Sequence, residues 1–125
     1  MNRAELDKRL RDLGLYSEYY MRKELKPLAE LLDCNASLNC ILTGVHDANR
    51  KLLAVTDREL LVIFTGALAN GEVKVISRKA VTSWNFEKKF FMPAVEFTAE
   101  GETYRFTNTQ RGRRELFEWA MNQPL

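Results

Sequence analysis

The one histidine and the two cysteines are the first residues to test for chemistry. His46 is followed by Asp47 in the polar stretch HDANRK. An imidazole base needs a nucleophile within hydrogen-bond reach. Cys34, Ser37, Cys40 and Thr43 are near in sequence, but no nucleophile elbow or glycine motif organises them. If residues 38–46 form one strand, Cys40 and His46 share a face about 20 Å apart, at about 3.3 Å per residue. One ion cannot reach both, and Cys34, Cys40 and His46 do not have the spacing of a zinc site. The six glycines are scattered singly and make no phosphate cradle. The expectation is no catalytic group, no metal and no cofactor, with His46 as a surface turn residue.

Binding chemistry has more to work with. Arg111, Arg113 and Arg114 open a predicted helix, where cations oppose the dipole and invite an anionic counter-charge. Arg78 and Lys79 form a second basic pair. Lys88 and Lys89 lead into Phe90, Phe91 and Met92 before Pro93, three large apolar residues in a connection between strands. Such a loop either packs against its own domain or inserts into a partner or a membrane interface. Arg78, Lys79, Lys88, Lys89, Phe90, Phe91, Arg111, Arg113 and Arg114 are therefore the candidate partner-binding residues.

These residues must be placed by a chain of 125 residues with 19 Lys+Arg and 17 Asp+Glu, net +2. That length suits one domain, which scaling says buries about two-thirds of its surface without disulfides or metal. The charge balance disfavours nucleic acid, whose binders carry a strongly basic domain. No apolar run approaches the roughly 18 residues of a membrane span. The first residues, MNRAELDKRLRDLG, are not a signal peptide. A cytoplasmic protein with reduced thiols is expected.

The chain has two textures. Residues 1 to about 33 read as helix. Asn2 and Glu5 make a capping box, Gly14 stops the first helix, and Leu6, Leu10 and Leu13 form its apolar stripe. Glu5/Arg9 and Asp7/Arg11 have ion-pair spacing. A second helix starts at Ser17, and Pro27 should kink it or restart it in a first turn. Leu25, Leu28 and Leu32 then line one face. Seven strands follow: SLNCILTGV, LLAVT, LLVIF, EVKVIS, TSWNFEK, MPAVEFTA and ETYRFT. The runs LLAVT and LLVIF are almost wholly apolar, so both faces should be covered. Asn108 or Thr109 should cap a last helix whose apolar face is Leu116, Phe117, Ala120 and Met121. Short connections point to an antiparallel meander, closed or nearly closed into a barrel.

Seven antiparallel strands and one amphipathic helix make the pleckstrin-homology order. The segment KELKPLAELLD, with Lys23, Glu24, Leu25, Leu28 and Leu32, resembles an element of bacterial pleckstrin-homology-like domains of the YokE type. So does the hairpin LLAVTDREL, with Leu52, Leu53, Thr56, Asp57 and Leu60. The family's arginine before the third strand falls at Glu59 here. The resemblance covers roughly residues 20–122. It implies a mainly β, α+β fold: a seven-stranded PH-like barrel of two near-orthogonal sheets, plugged by the C-terminal helix. Residues 1–19 would be a helical arm and 20–125 the PH-like domain.

The resemblance also implies a mouth built from loops 46–51, 65–72 and 99–102, with net charges of +1, −1 and −2. An acidic mouth repels the polyphosphate headgroups that related domains grip. The implied function is a non-catalytic interaction module, for a protein partner or for itself as a homo-oligomer. The alternative is attachment to anionic lipid at the inner membrane face, through the Lys88–Phe91 loop and the Arg111–Arg114 cluster.

Overall fold

In a computed structural model, the protein is described for residues 1–15, 22–32, 36–66, 71–87 and 92–125. Helix α1 (Arg3–Asp12) begins with the expected reciprocal box, in which the Asn2 side chain accepts from the Glu5 N–H and Glu5 reaches back to the Asn2 backbone. It ends at Gly14, which takes a left-handed φ of 76°. Its ion pairing differs from expectation: Arg3 pairs with Asp7 at 3.0 Å, and Arg9 turns to the Leu38 carbonyl at 2.8 Å. Helix α2 (Arg22–Leu31) carries Pro27 within it instead of in a first turn. Proline there removes one intrahelical donor. Burial of Leu25, Leu28 and Ala29 on the same helix opposes that loss.

All seven strands form, each at its expected place. The first sheet has the order β1 (Leu38–His46), β2 (Asn49–Thr56), β3 (Glu59–Phe64) and β4 (Glu72–Ser77). The second has β5 (Val81–Glu87), β6 (Ala94–Ala99) and β7 (Glu102–Phe106). Every neighbouring pair is antiparallel. The sheets join at one corner, where Val45 and Thr107 exchange N–H···O bonds of 2.8 and 3.0 Å. Gly44 sits at that corner because a Cβ there would lie 2.7 Å from the Cβ of Phe106. At the opposite corner β4 and β5 belong to different sheets, joined by the single-turn 3-10 helix Arg78–Ala80. The closure is thus one-sided, a two-sheet PH-like sandwich more than a sealed barrel.

Two apolar clusters explain the strand sequences. Between the sheets lie Cys40, Leu42, Leu53, Val55, Leu60, Val62, Phe86, Val95, Phe97 and Phe106, closed by Phe117, Ala120 and Met121 of α3 (Arg114–Met121). On the outer face of the first sheet, Ile41, Leu52, Ala54, Leu61 and Ile63 pack under Leu6, Leu10, Leu15, Leu25, Leu28 and Leu32. Strands β2 and β3 are therefore covered on both faces, which is why alternate polar residues are missing from LLAVT and LLVIF. The expected cap of the last helix is not used. A 3-10 turn (Arg111–Arg113) precedes α3, and neither Gln110 nor Arg113 caps with its side chain. Asn108 takes a left-handed φ of 54° and Thr109 is buried, its hydroxyl without a hydrogen-bond partner.

Candidate functional site

Of the nine candidate residues, Arg78 and Arg113 are buried and so stand off any outer surface the others form. Arg78, at the start of the 3-10 turn between the sheets, is buried. Its guanidinium donates to the carbonyls of Asp57 at 2.9 Å, Thr56 at 3.5 Å, Met121 at 2.9 Å and Gln123 at 2.8 Å. Burial lowers its pKa and nearby Asp57 opposes that shift, but an arginine stays charged throughout. Arg113 is buried too, and its Nε donates to the Ile41 carbonyl at 3.1 Å. Both were expected on an outer basic face. Both instead tie to main chain, Arg78 satisfying several carbonyls at once with its guanidinium donors and Arg113 reaching that of Ile41.

Lys79 is exposed, and its backbone N–H is accepted by the Ser77 hydroxyl at 3.2 Å. Arg114 is exposed and pairs with Glu118 one turn on, at 3.3 Å. Arg111 opens the 3-10 turn before α3, and its side chain lies outside the described residues. Lys88, Lys89, Phe90 and Phe91 also lie outside them. Met92, which follows directly, is 51% exposed. The Pro93 carbonyl accepts the Thr109 N–H at 3.1 Å, which ties the root of that connection to the segment entering α3.

The mouth carries chemistry that spacing alone missed. His46 ends β1 half-buried, stacked on Phe106 with centroids 5.0 Å apart. Its Nδ1 faces the Arg105 carbonyl at 3.1 Å and its Nε2 faces Asp47 at 3.3 Å. It is more enclosed than a surface turn histidine. Lys51 points inward, its side chain only 2% exposed, and meets Glu72 at 3.2 Å across β3. Lys74 of β4 reaches over the Tyr104 ring, 4.8 Å from its centroid, to Glu102 at 3.1 Å. The Tyr104 hydroxyl also donates to Glu102, at 2.8 Å. Contact with Tyr104, then with Glu102, raises the Lys74 pKa, and the same hydroxyl, then Lys74, lowers that of Glu102. The inner lysines of the mouth are thus already matched by the protein's own carboxylates.

The nucleophile candidates fare no better. Cys40 is buried between the sheets, and desolvation pushes its thiol up to about 12 against the pull of Arg113. Such a thiol has essentially no thiolate at neutral pH. Cys34 lies outside the described residues, and among those described no group of three metal-ligating side chains occurs. No helix among them is long and apolar enough to cross a membrane.

A different surface does stand out. Strand β4 ends its sheet, and its outward residues Val73 and Val75 are 50% and 49% exposed. They pair in register with Ile63 and Leu61 of β3, whose outer face is buried under the N-terminal helices. The apolar outer face therefore runs past its cover and out to the edge. The sequence signal was EVKVIS: two valines with an opposite-sign pair, Glu72 and Lys74, at the intervening positions.

A four-stranded and a three-stranded antiparallel sheet, joined at one corner and closed by a C-terminal helix, define a PH-like domain. A family profile described as bacterial PH domain matches residues 28–119, most of the chain. The chain belongs to that family. Two solved structures are similar in fold. A pleckstrin homology domain from Shewanella amazonensis SB2B aligns with TM-score 0.54 and 17% identity, over 87% of this chain and 91% of that one. A protein with a pleckstrin-homology domain from Shewanella loihica PV-4 aligns with TM-score 0.52 and 14% identity, over 86% of this chain and 99% of that one. No protein of curated function matches.

Proposed function

We propose that this protein is a non-catalytic interaction module that receives an extended segment of a protein chain along the open edge of β4. The observation that carries the reading is the half exposure of Val73 and Val75 on an edge strand. An edge strand presents a row of main-chain donors and acceptors that a further strand satisfies, and alternate side chains then set selectivity. Opposite Val73 and Val75 a partner strand needs apolar residues, opposite Lys74 an acid, and opposite Glu72 a base. A fluorescein-labelled peptide Ser-Val-Glu-Val-Lys-Val supplies that order for an antiparallel strand. Fluorescence anisotropy should give a Kd on the order of 100 μM, the range of a weak, small interface. The double variant Val73→Asp/Val75→Asp should weaken it about tenfold or more. Equal binding by wild type and variant, or none by wild type, would falsify strand addition.

A second reading, attachment to anionic membranes, is favoured by the exposed Met92 and by the Pro93–Thr109 bond beside the Arg111–Arg114 segment. Lys79, Lys88, Lys89, Phe90, Phe91, Arg111 and Arg114 would contribute; Arg78 and Arg113, both buried, would not. Flotation with phosphatidylcholine liposomes, with and without phosphatidylserine, should show binding only to the anionic ones. It should be lost in Phe91→Ala and in Lys88→Glu/Lys89→Glu; unchanged flotation of both variants sinks this reading.

A further inference from the structure

We infer that the segment fitting the β4 edge is β4 of a second copy of this chain, paired antiparallel about Val73; this rests on the strand-addition reading above. Register and charge carry the argument. Val73 and Val75 share the outer face with Ile63 and Leu61, while Lys74 and Ile76 face inward with Val62 and Leu60. Directly opposed residues of an antiparallel pair point to the same face, so two copies can meet only in registers that keep this phase. Centring the pair on Lys74 sets Lys74 against its own symmetry mate, a like-charge opposition that destabilises a ladder. Centring it on Val75 sets Lys74 against the apolar Ile76, and Glu72 against Arg78, which lies past the end of β4 and spends its guanidinium on buried carbonyls. Centring it on Val73 sets Glu72 against Lys74 and, by the two-fold, Lys74 against Glu72, with Val73 on Val73 between them.

Gly71 then lies opposite Val75, and five residues of each copy enter the ladder. Both charged partners can turn toward the new strand. The side chains of Glu72 and Lys74 are 47% and 42% exposed; Glu72 holds Lys51 through one contact, and Lys74 lies over Tyr104 as well as against Glu102. The strand thus carries its own complement on the edge where Val73 and Val75 are uncovered.

The test uses the protein alone, in sedimentation velocity across a concentration series. Wild type should associate to a dimer. Glu72→Lys and Lys74→Glu should each weaken association about tenfold or more, since each puts like charges opposite one another twice. An equimolar mixture of the two variants restores both opposite-charge pairs, and should associate within about threefold of wild type. Each variant also loses its contact to Lys51 or Glu102, but that defect is the same alone and mixed, so it cannot produce the recovery. Circular dichroism of each variant confirms the fold. A mixture no tighter than its components overturns the register. A wild type that stays monomeric at millimolar concentration overturns self-pairing, while the peptide titration then decides strand addition by itself. A dimer untouched by Val73→Asp/Val75→Asp overturns the edge as its seat.

Discussion

Arg78→Ala is expected to cost about 3 kcal/mol of folding stability, since buried carbonyls that lose their donor cost about 1–3 kcal/mol each and only some regain water. The guanidinium joins three parts of the chain: the β2–β3 turn through Thr56 and Asp57, the end of α3 through Met121, and the following residues through Gln123. Its own backbone N–H donates to the Arg58 carbonyl at 2.9 Å, fixing the turn from the other side. Met121 is the last residue of α3, where carbonyls have no partner within the helix. A cation placed there also complements the helix dipole. Alanine removes the charge and the donors and leaves a void. Equilibrium urea unfolding should show the loss, and the melting temperature should fall by roughly 10 °C. Arg78→Lys should recover only part of it, because one ammonium cannot reach carbonyls on both sides. If alanine proved no worse than about 0.5 kcal/mol, the size of an ordinary surface change, the clasp would be incidental.

Gly44→Ala should be nearly as damaging, at about 2–3 kcal/mol from overpacking alone. The added Cβ would lie 2.7 Å from the Cβ of Phe106, 3.1 Å from the Thr107 carbonyl and 3.2 Å from the Thr109 methyl. Phe106 is fully buried and stacked near Phe97, with centroids 6.1 Å apart, so it cannot retreat without disturbing the inner core. The displaced element would be the corner itself, where Val45 and Thr107 pair. Faster hydrogen exchange at the Val45 and Thr107 amides should therefore accompany the loss. Gly112→Ala is the control: nothing lies within 4 Å of its Cβ. It should change stability by no more than about 0.5 kcal/mol. Equal effects at the two glycines would mean that the corner is not closely packed.

Much of the fold was legible because its signals are local. The Asn2–Glu5 box, the Gly14 stop and the seven short strands each depend on residues a few positions apart. Errors arose where a distant element intervened. Of the two readings of Pro27, the restart in a first turn fails: Pro27 stays inside α2, whose Leu25 and Leu28 dock on the first sheet. The last helix does without an Asn108 or Thr109 cap, since Thr109 is drawn into the corner beside Gly44 and its N–H goes to Pro93. The candidate site was the least legible part. Counting charges put Arg78 and Arg113 on a basic face, but whether an arginine points outward depends on which carbonyls lie within its reach. For Arg78 those include Met121 and Gln123, more than forty positions along the chain.

By itself the sequence determined the order and kind of the elements and the apolar faces that build two clusters. Alternation, turn residues and capping act over one or two turns of chain, so they can be read without knowing the fold. Tertiary structure alone decided which surfaces remained uncovered. The valines of EVKVIS have the pattern of a buried strand face, and they are half exposed because the two N-terminal helices cover β2 and β3 and stop short of β4. Burial depends on what another part of the chain places against a residue, and local periodicity does not carry that information.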